Sequence, residues 1–155
     1  MKKNLYVILD NLRSGSNVGN IYRSAYAFGY RGVIHVGITP EKNNPNFLSS
    51  SRGCENFLDT VRFDHISEAL KFSREMKLKI YSLEIGEKAD KLNAFNFEDN
   101  FVIVIGNEAL GVSEFALKNS DKIISIETPG FKDSLNVGVA FGIFSYAMYL
   151  KQIKY

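Results

Sequence analysis

Cysteine and histidine are scarce in this chain of 155 residues: Cys54 stands alone, and His35 and His65 are the only histidines. One cysteine cannot close an intramolecular disulfide, and the two histidines show no zinc-type spacing, so neither a disulfide framework nor a metal centre is expected. No apolar run approaches the roughly 18 residues of a membrane-spanning helix, which argues against a membrane protein. The opening Met1-Lys2-Lys3-Asn4-Leu5-Tyr6-Val7-Ile8-Leu9 starts basic, but its short apolar stretch is broken by Asp10 and Arg13. It reads as a first strand rather than a signal peptide, and a cytoplasmic location follows. There is no Pro/Gly/Ser-rich linker, internal repeat or low-complexity tract. A strong charge of one sign is missing too: the net charge is +2. Whole-chain charge is a poor guide to nucleic-acid binding, because the footprint is local. Arg13, Arg23, Arg31, Arg52 and Lys132 lie in or near polar loops, a placement compatible with a phosphate-tracking surface.

What is present is a globular composition, 45% hydrophobic and 23% charged, in a length that suits one domain over residues 1–155. Short β-rich runs alternate with helix-period segments. Strands are predicted at Leu5–Leu9, Val33–Val36, Thr60–Phe63, Lys79–Leu83, Phe101–Ile105 and Lys122–Ile126, and helices at Asn17–Phe28, Ile66–Met76 and Ser113–Leu117. Phe101–Ile105 has the continuous apolar character of a strand buried on both faces. A last helix starts near Leu135 and sets Val137, Ala140, Phe141, Phe144 and Met148 in one stripe that faces a core or a partner. The segment from Thr39 to Gly53, with Pro40 and Pro45, is the longest expected loop and faces substrate. The pattern predicts an α/β fold with a doubly wound, mainly parallel sheet, whose ligands bind outside the carboxyl ends of the strands.

Three polar islands interrupt this apolar chain: Asn17-Val18-Gly19-Asn20-Ile21-Tyr22-Arg23, then Ile105-Gly106-Asn107-Glu108-Ala109-Leu110-Gly111, then Ser134-Leu135-Asn136. Each residue has a structural reading. Asn17 opens a helix and can cap its free N–H groups, and Ser134 or Asn136 can do the same for the last helix. Arg23, in the second turn, can be an exposed helical arginine. Glu108 can cap the helix that follows it. Gly106 to Gly111 lacks the G-K-[ST] of a phosphate loop. His35, His65 and Cys54 match no motif and are expected to be structural.

The order and internal spacing of these islands resemble the three motifs of the SpoU (TrmH-like) branch of the SPOUT RNA methyltransferases, from about Asp10 to Lys151. The resemblance implies a trefoil knot from about Asn100 onward and S-adenosylmethionine as cofactor. It also implies methyl transfer to a ribose 2′-hydroxyl of RNA, tRNA ahead of rRNA, by a homodimer paired through the terminal helices. It places Asn17, Arg23, Glu108, Ser134 and Asn136 in the catalytic set, and assigns cofactor contacts to backbone groups of Leu83, Gly106, Ile126 and Leu135. Arg23 would act on the 2′-hydroxyl, although a guanidinium is no ordinary proton acceptor near neutrality. A non-catalytic RNA-binding protein of the same fold is the alternative, and a small flavodoxin-like nucleotide binder a third.

Overall fold

The computed structural model describes residues 3–130 and 134–153. Strands β1 (Asn4–Asp10), β2 (Gly32–Val36), β3 (Asp59–Phe63), β4 (Lys79–Leu83), β5 (Asp90–Lys91), β6 (Asn100–Gly106) and β7 (Lys122–Ser125) form one seven-stranded sheet. Their order is β3-β2-β1-β6-β4-β7-β5, with every pairing parallel. The apolar runs of β1 and β6 pair in the middle, Leu5 opposite Phe101 and Leu9 opposite Ile105. Both are buried on both faces, as the crossover geometry of a parallel sheet demands.

Alternation along these strands feeds two cores. Leu5, Val7, Leu9, Phe101 and Ile103 point to the layer of α1 (Gly15–Ala27), α2 (Pro45–Ser51) and α5 (Val137–Gln152). Tyr6, Ile8, Val102 and Val104 point the other way, to α3 (Ile66–Glu75) and α4 (Glu114–Lys118). None of these helices is long and apolar enough to cross a membrane.

Several expectations change. Helix α1 starts earlier than Asn17: Ser14 is its N-cap, accepting from the Asn17 N–H at 3.2 Å, and Asn17 sits inside the first turn. The expected loop from Thr39 to Gly53 contains α2. Its Asn44 cap accepts from the N–H groups of Asn46 and Phe47 at 3.0 and 3.1 Å, and Pro45 occupies the first helical position. This helix packs close against α1, for a β-carbon on Gly19 would lie 2.7 Å from the Phe47 carbonyl oxygen and the Ser51 nitrogen. The stripe on α5 turns inward: Phe141, Phe144 and Met148 are buried within this chain, leaving Val139, Ile143, Tyr146, Tyr149 and Leu150 on the outer face. Strand β5, two residues long, has no periodicity for a sequence to show. Lys132, placed with the loop cations by the sequence, lies outside the described residues.

Candidate active site

At the carboxyl ends of β1 and β6 the chain turns away on both strands, and the two turns lock together. β6 ends at Gly106, where any β-carbon would run into the backbone of Gly111 and Val112, so glycine is required there. Asn107 and Gly111 then exchange backbone hydrogen bonds at 3.0 and 2.8 Å, which folds residues 107–111 into a tight turn. Asn107, 8% exposed, is the internal clasp of that turn. Its Oδ1 accepts from Ala109 and Leu110 N–H at 2.9 and 3.0 Å, and its Nδ2 donates to the Asn11 carbonyl at 2.8 Å. Asp10, also buried, accepts from the Ser113 N–H at 3.0 Å.

Glu108 does not cap the helix that follows it. Its carboxylate swings to the start of α1 and accepts from the N–H groups of Arg13 (2.9 Å) and Ser14 (3.0 Å) and from Asn17 Nδ2 (3.2 Å). Burial disfavours its charge, yet the Ser14 and Arg13 N–H groups, helped by Asn17, hold the carboxyl below the usual glutamate range. The positive end of α1 favours a carboxylate at this place for the same reason.

A carboxylate can only accept, so the NH₂ of Asn17 must face Glu108 and its Oδ1 must face away. That oxygen accepts from Asn136 Nδ2 at 3.1 Å. The remaining oxygen of Asn136 in turn accepts from the Gly138 and Val139 N–H groups at 2.9 and 3.3 Å, making Asn136 the N-cap of α5. A directional chain Glu108–Asn17–Asn136 therefore joins the three islands across more than a hundred residues of sequence and fixes the amide orientations without ambiguity. Ser134 is exposed and makes no hydrogen bond to another described residue.

Beside this chain lies a cavity of about 460 Å³, in the size range of small-molecule sites. Leu83, Gly106, Ile126 and Leu135 all line it, with Glu84, Glu108 and Ser134 adding polar groups to walls that also include Ile105, Leu117 and Val137. Arg23 is not in it. The arginine is exposed in an adjoining open groove of about 560 Å³, lined also by Asn20, Ser24, Tyr26, Phe28 and Asn136, and no hydrogen bond or ion pair holds it among the described residues. Asn136 lines this groove, while its neighbours Leu135 and Val137 line the cavity. Arg31, placed with the loop cations by the sequence, lies instead at the amino edge of the sheet, paired with Asp59 at 3.2 Å. Sequence reasoning missed Glu84, Asp10, Asn11 and Asn107; a short polar residue just past an apolar strand was the available signal for the last three.

His35 and Cys54 behave as expected of structural residues. His35, 1% exposed, accepts or donates at Nε2 with the Tyr22 hydroxyl at 2.7 Å, which also reaches Thr60 Oγ1 at 3.0 Å. Burial, reinforced by the Arg62 charge, lowers its pKa to about 4, so the ring is neutral near pH 7.

Fold and site together define an α/β protein that holds a small ligand outside the carboxyl ends of a parallel sheet, beside an arginine-bearing groove. The sequence profile of the SpoU rRNA Methylase family matches residues 4–146, and the chain belongs to that family. Membership implies the trefoil knot in the segment after Asn100. An uncharacterized tRNA/rRNA methyltransferase of Borreliella burgdorferi is 31% identical over 144 residues, 92% of this chain and 62% of the relative. The chain thus spans less than two thirds of that relative's length. Among solved structures, the SpoU methyltransferase AviRb from Streptomyces viridochromogenes in complex with AdoMet superposes with a TM-score of 0.90 at 26% identity, over 98% of this chain and 62% of that one. A TrmH/SpoU tRNA modifying enzyme of A. aeolicus gives a TM-score of 0.86 at 25% identity, over 97% of this chain and 76% of the other.

Proposed function

We propose that this chain is an S-adenosylmethionine-dependent RNA ribose 2′-O-methyltransferase, one SPOUT domain over residues 1–155, acting in the cytoplasm as a homodimer with tRNA as the first substrate to test. The observation that carries the reading is the chain Glu108–Asn17–Asn136, which ties three separated motifs into one unit beside a cavity and a more open groove. A site built only to bind RNA has no use for a cavity of this kind.

The cavity suits the cofactor. Its apolar walls fit an adenine, the strand ends bring backbone polar groups to its rim, and its two carboxylates tolerate a cation. When bound, S-adenosylmethionine supplies an electrophilic methyl group on a sulfonium. Leu83, Gly106, Ile126 and Leu135 would hold it. The AdoMet complex of AviRb and the tRNA/rRNA methyltransferase relative support this assignment.

Transfer to a hydroxyl requires the attacking oxygen in line and a place for its proton. Arg23 is the cation of the groove, held by no hydrogen bond or ion pair among the described residues, and in this reading it meets an RNA phosphate next to the target ribose. Its guanidinium draws the backbone into the groove and stabilises charge that develops on the 2′-oxygen. Glu108 and Asn17 do not face the groove as free groups. They hold α1, and with it Arg23, against the turn that forms the cavity wall, while Ser134 lines the cavity and Asn136 the groove.

The inward turn of Phe144 moves the dimer surface to the other side of α5. Val139, Ile143, Tyr146 and Leu150, each 41–53% exposed, form an outward apolar stripe next to the Arg23 groove. Pairing of two copies through this face would bring each groove to the partner. The test of the proposal is transfer of tritium from labelled S-adenosylmethionine to unmodified total RNA. Incorporation that depends on Arg23 supports it; RNA and cofactor binding without incorporation would leave a non-catalytic binder.

A further inference from the structure

Glu84 is the charged group of the cavity lining that neither the three motifs nor the chain Glu108–Asn17–Asn136 uses. It follows Leu83 at the carboxyl end of β4, between β6 and β7, and its backbone N–H donates to the Ile124 carbonyl at 3.0 Å. Its side chain is held at both oxygens: Oε1 accepts from the Ile85 N–H and Oε2 from the Val112 N–H, each at 2.9 Å. Gly111 keeps the space for it, because a β-carbon there would collide with Oε2, and the φ of +73° at Gly111 is itself a glycine conformation.

The two cavity carboxylates differ in what they have left to accept. Glu108 meets Arg13, Ser14 and Asn17 and is spent. Glu84 uses one lone pair on each oxygen and keeps the other, so it presents two adjacent acceptors, already oriented, on the cavity wall. No cation is paired with it among the described residues. Two acceptors side by side complement two hydroxyls on neighbouring carbons, and a carboxylate at a strand end is a recurrent partner of ribose hydroxyls in α/β folds. Position agrees. Glu84 is not part of the Arg23 groove, where RNA would be met, and shares the cavity lining with the apolar Leu83, Leu117 and Ile126.

Resting on the cofactor reading above, we infer that Glu84 accepts hydrogen bonds from the 2′- and 3′-hydroxyls of the cofactor's ribose and so selects an adenosyl ligand with an intact diol. The experiment is a binding cycle read by calorimetry, without turnover. S-adenosylhomocysteine and its 2′,3′-dideoxy analogue are titrated into wild type and Glu84→Gln, with thermal melts to confirm folding. Wild type should bind the dideoxy ligand about tenfold more weakly, and Glu84→Gln should lose about tenfold for the natural ligand but almost nothing further for the dideoxy one. Equal losses for both ligands in the variant would reduce Glu84 to a brace between Ile85 and Val112 and overturn the inference. So would wild-type protein indifferent to the missing hydroxyls, a result that needs no variant and stands even if Glu84→Gln fails to fold. Wild type that binds neither ligand would remove the cofactor reading itself, and this inference with it.

Discussion

The cavity and the groove have no lining residue in common, although Leu135 and Val137 of the one alternate along the chain with Asn136 and Gly138 of the other. In the cavity both carboxylates are tied to backbone N–H groups, Glu84 with acceptor capacity to spare, and most of the other wall residues are apolar. The groove is open, and its principal charged group, Arg23, is tied to nothing among the described residues. A rigid, presorted surface suits a small ligand of fixed shape, whereas a loose cation costs little to leave in water and gains most when a polyanion arrives. The contrast separates holding from delivering, and each half can be broken without the other.

Arg23→Ala breaks the groove alone. Turnover should fall by at least about a hundredfold, the scale of losing one preorganised charge stabiliser, while calorimetry finds S-adenosylmethionine affinity within a few-fold of wild type. Equal loss in both would place Arg23 in the cavity's function. Glu108→Gln acts on the seam between the halves. An NH₂ group would then face the Ser14 and Arg13 N–H groups or surrender the Asn17 bond, at a cost to stability of about 1–3 kcal/mol, and both affinity and turnover should drop.

The same carboxyl sets a pH signature. Its folded-state pKa is depressed, so its contribution to stability is complete above the ordinary glutamate value near about 4.3 and disappears as the pH falls through the lower folded value. Denaturant titrations of wild type and Glu108→Gln should therefore converge in acid. Smaller still is the effect on assembly. Ile143→Glu, on the outer face of α5, should shift light scattering toward monomer with the melting temperature nearly kept, whereas Phe144→Glu should unfold the chain. Monomeric, fully active wild type would remove the homodimer from the account.

His35 provides a control that lines neither half. The unfolded histidine takes up a proton near about 6.5, the folded one only at about 4. Folding stability attributable to it is thus full above that unfolded value and declines as the pH falls from there toward the folded one, and His35→Gln should flatten this slope without altering cofactor affinity.

Much of this architecture could be read from the chain. β1 and β6 announce themselves because strands buried on both faces need unbroken apolar runs. The three islands were visible as polar breaks in such a chain, and their convergence at the carboxyl edge follows from parallel topology. Partners could not be read. Asn17 looked like a cap because capping is local, yet its side chain is spent on Glu108, 91 positions away. The stripe of Phe141, Phe144 and Met148 announced a buried face without saying which body buries it. Helix α2 hid in a polar segment because its stability comes from the Asn44 cap and from contact with Gly19, not from periodicity. Glu84 carried no signal at all, for its meaning lies in the Val112 N–H that the fold brings to it.

The central claim is that the groove presents a ribose hydroxyl, not a base, to a methyl donor held in the cavity. Nucleoside mapping of RNA labelled by the wild-type protein tests this most directly. The account predicts that the label is recovered in a 2′-O-methylnucleoside, at a phosphodiester linkage resistant to alkali. Label on a base, or at an alkali-labile linkage, would contradict it.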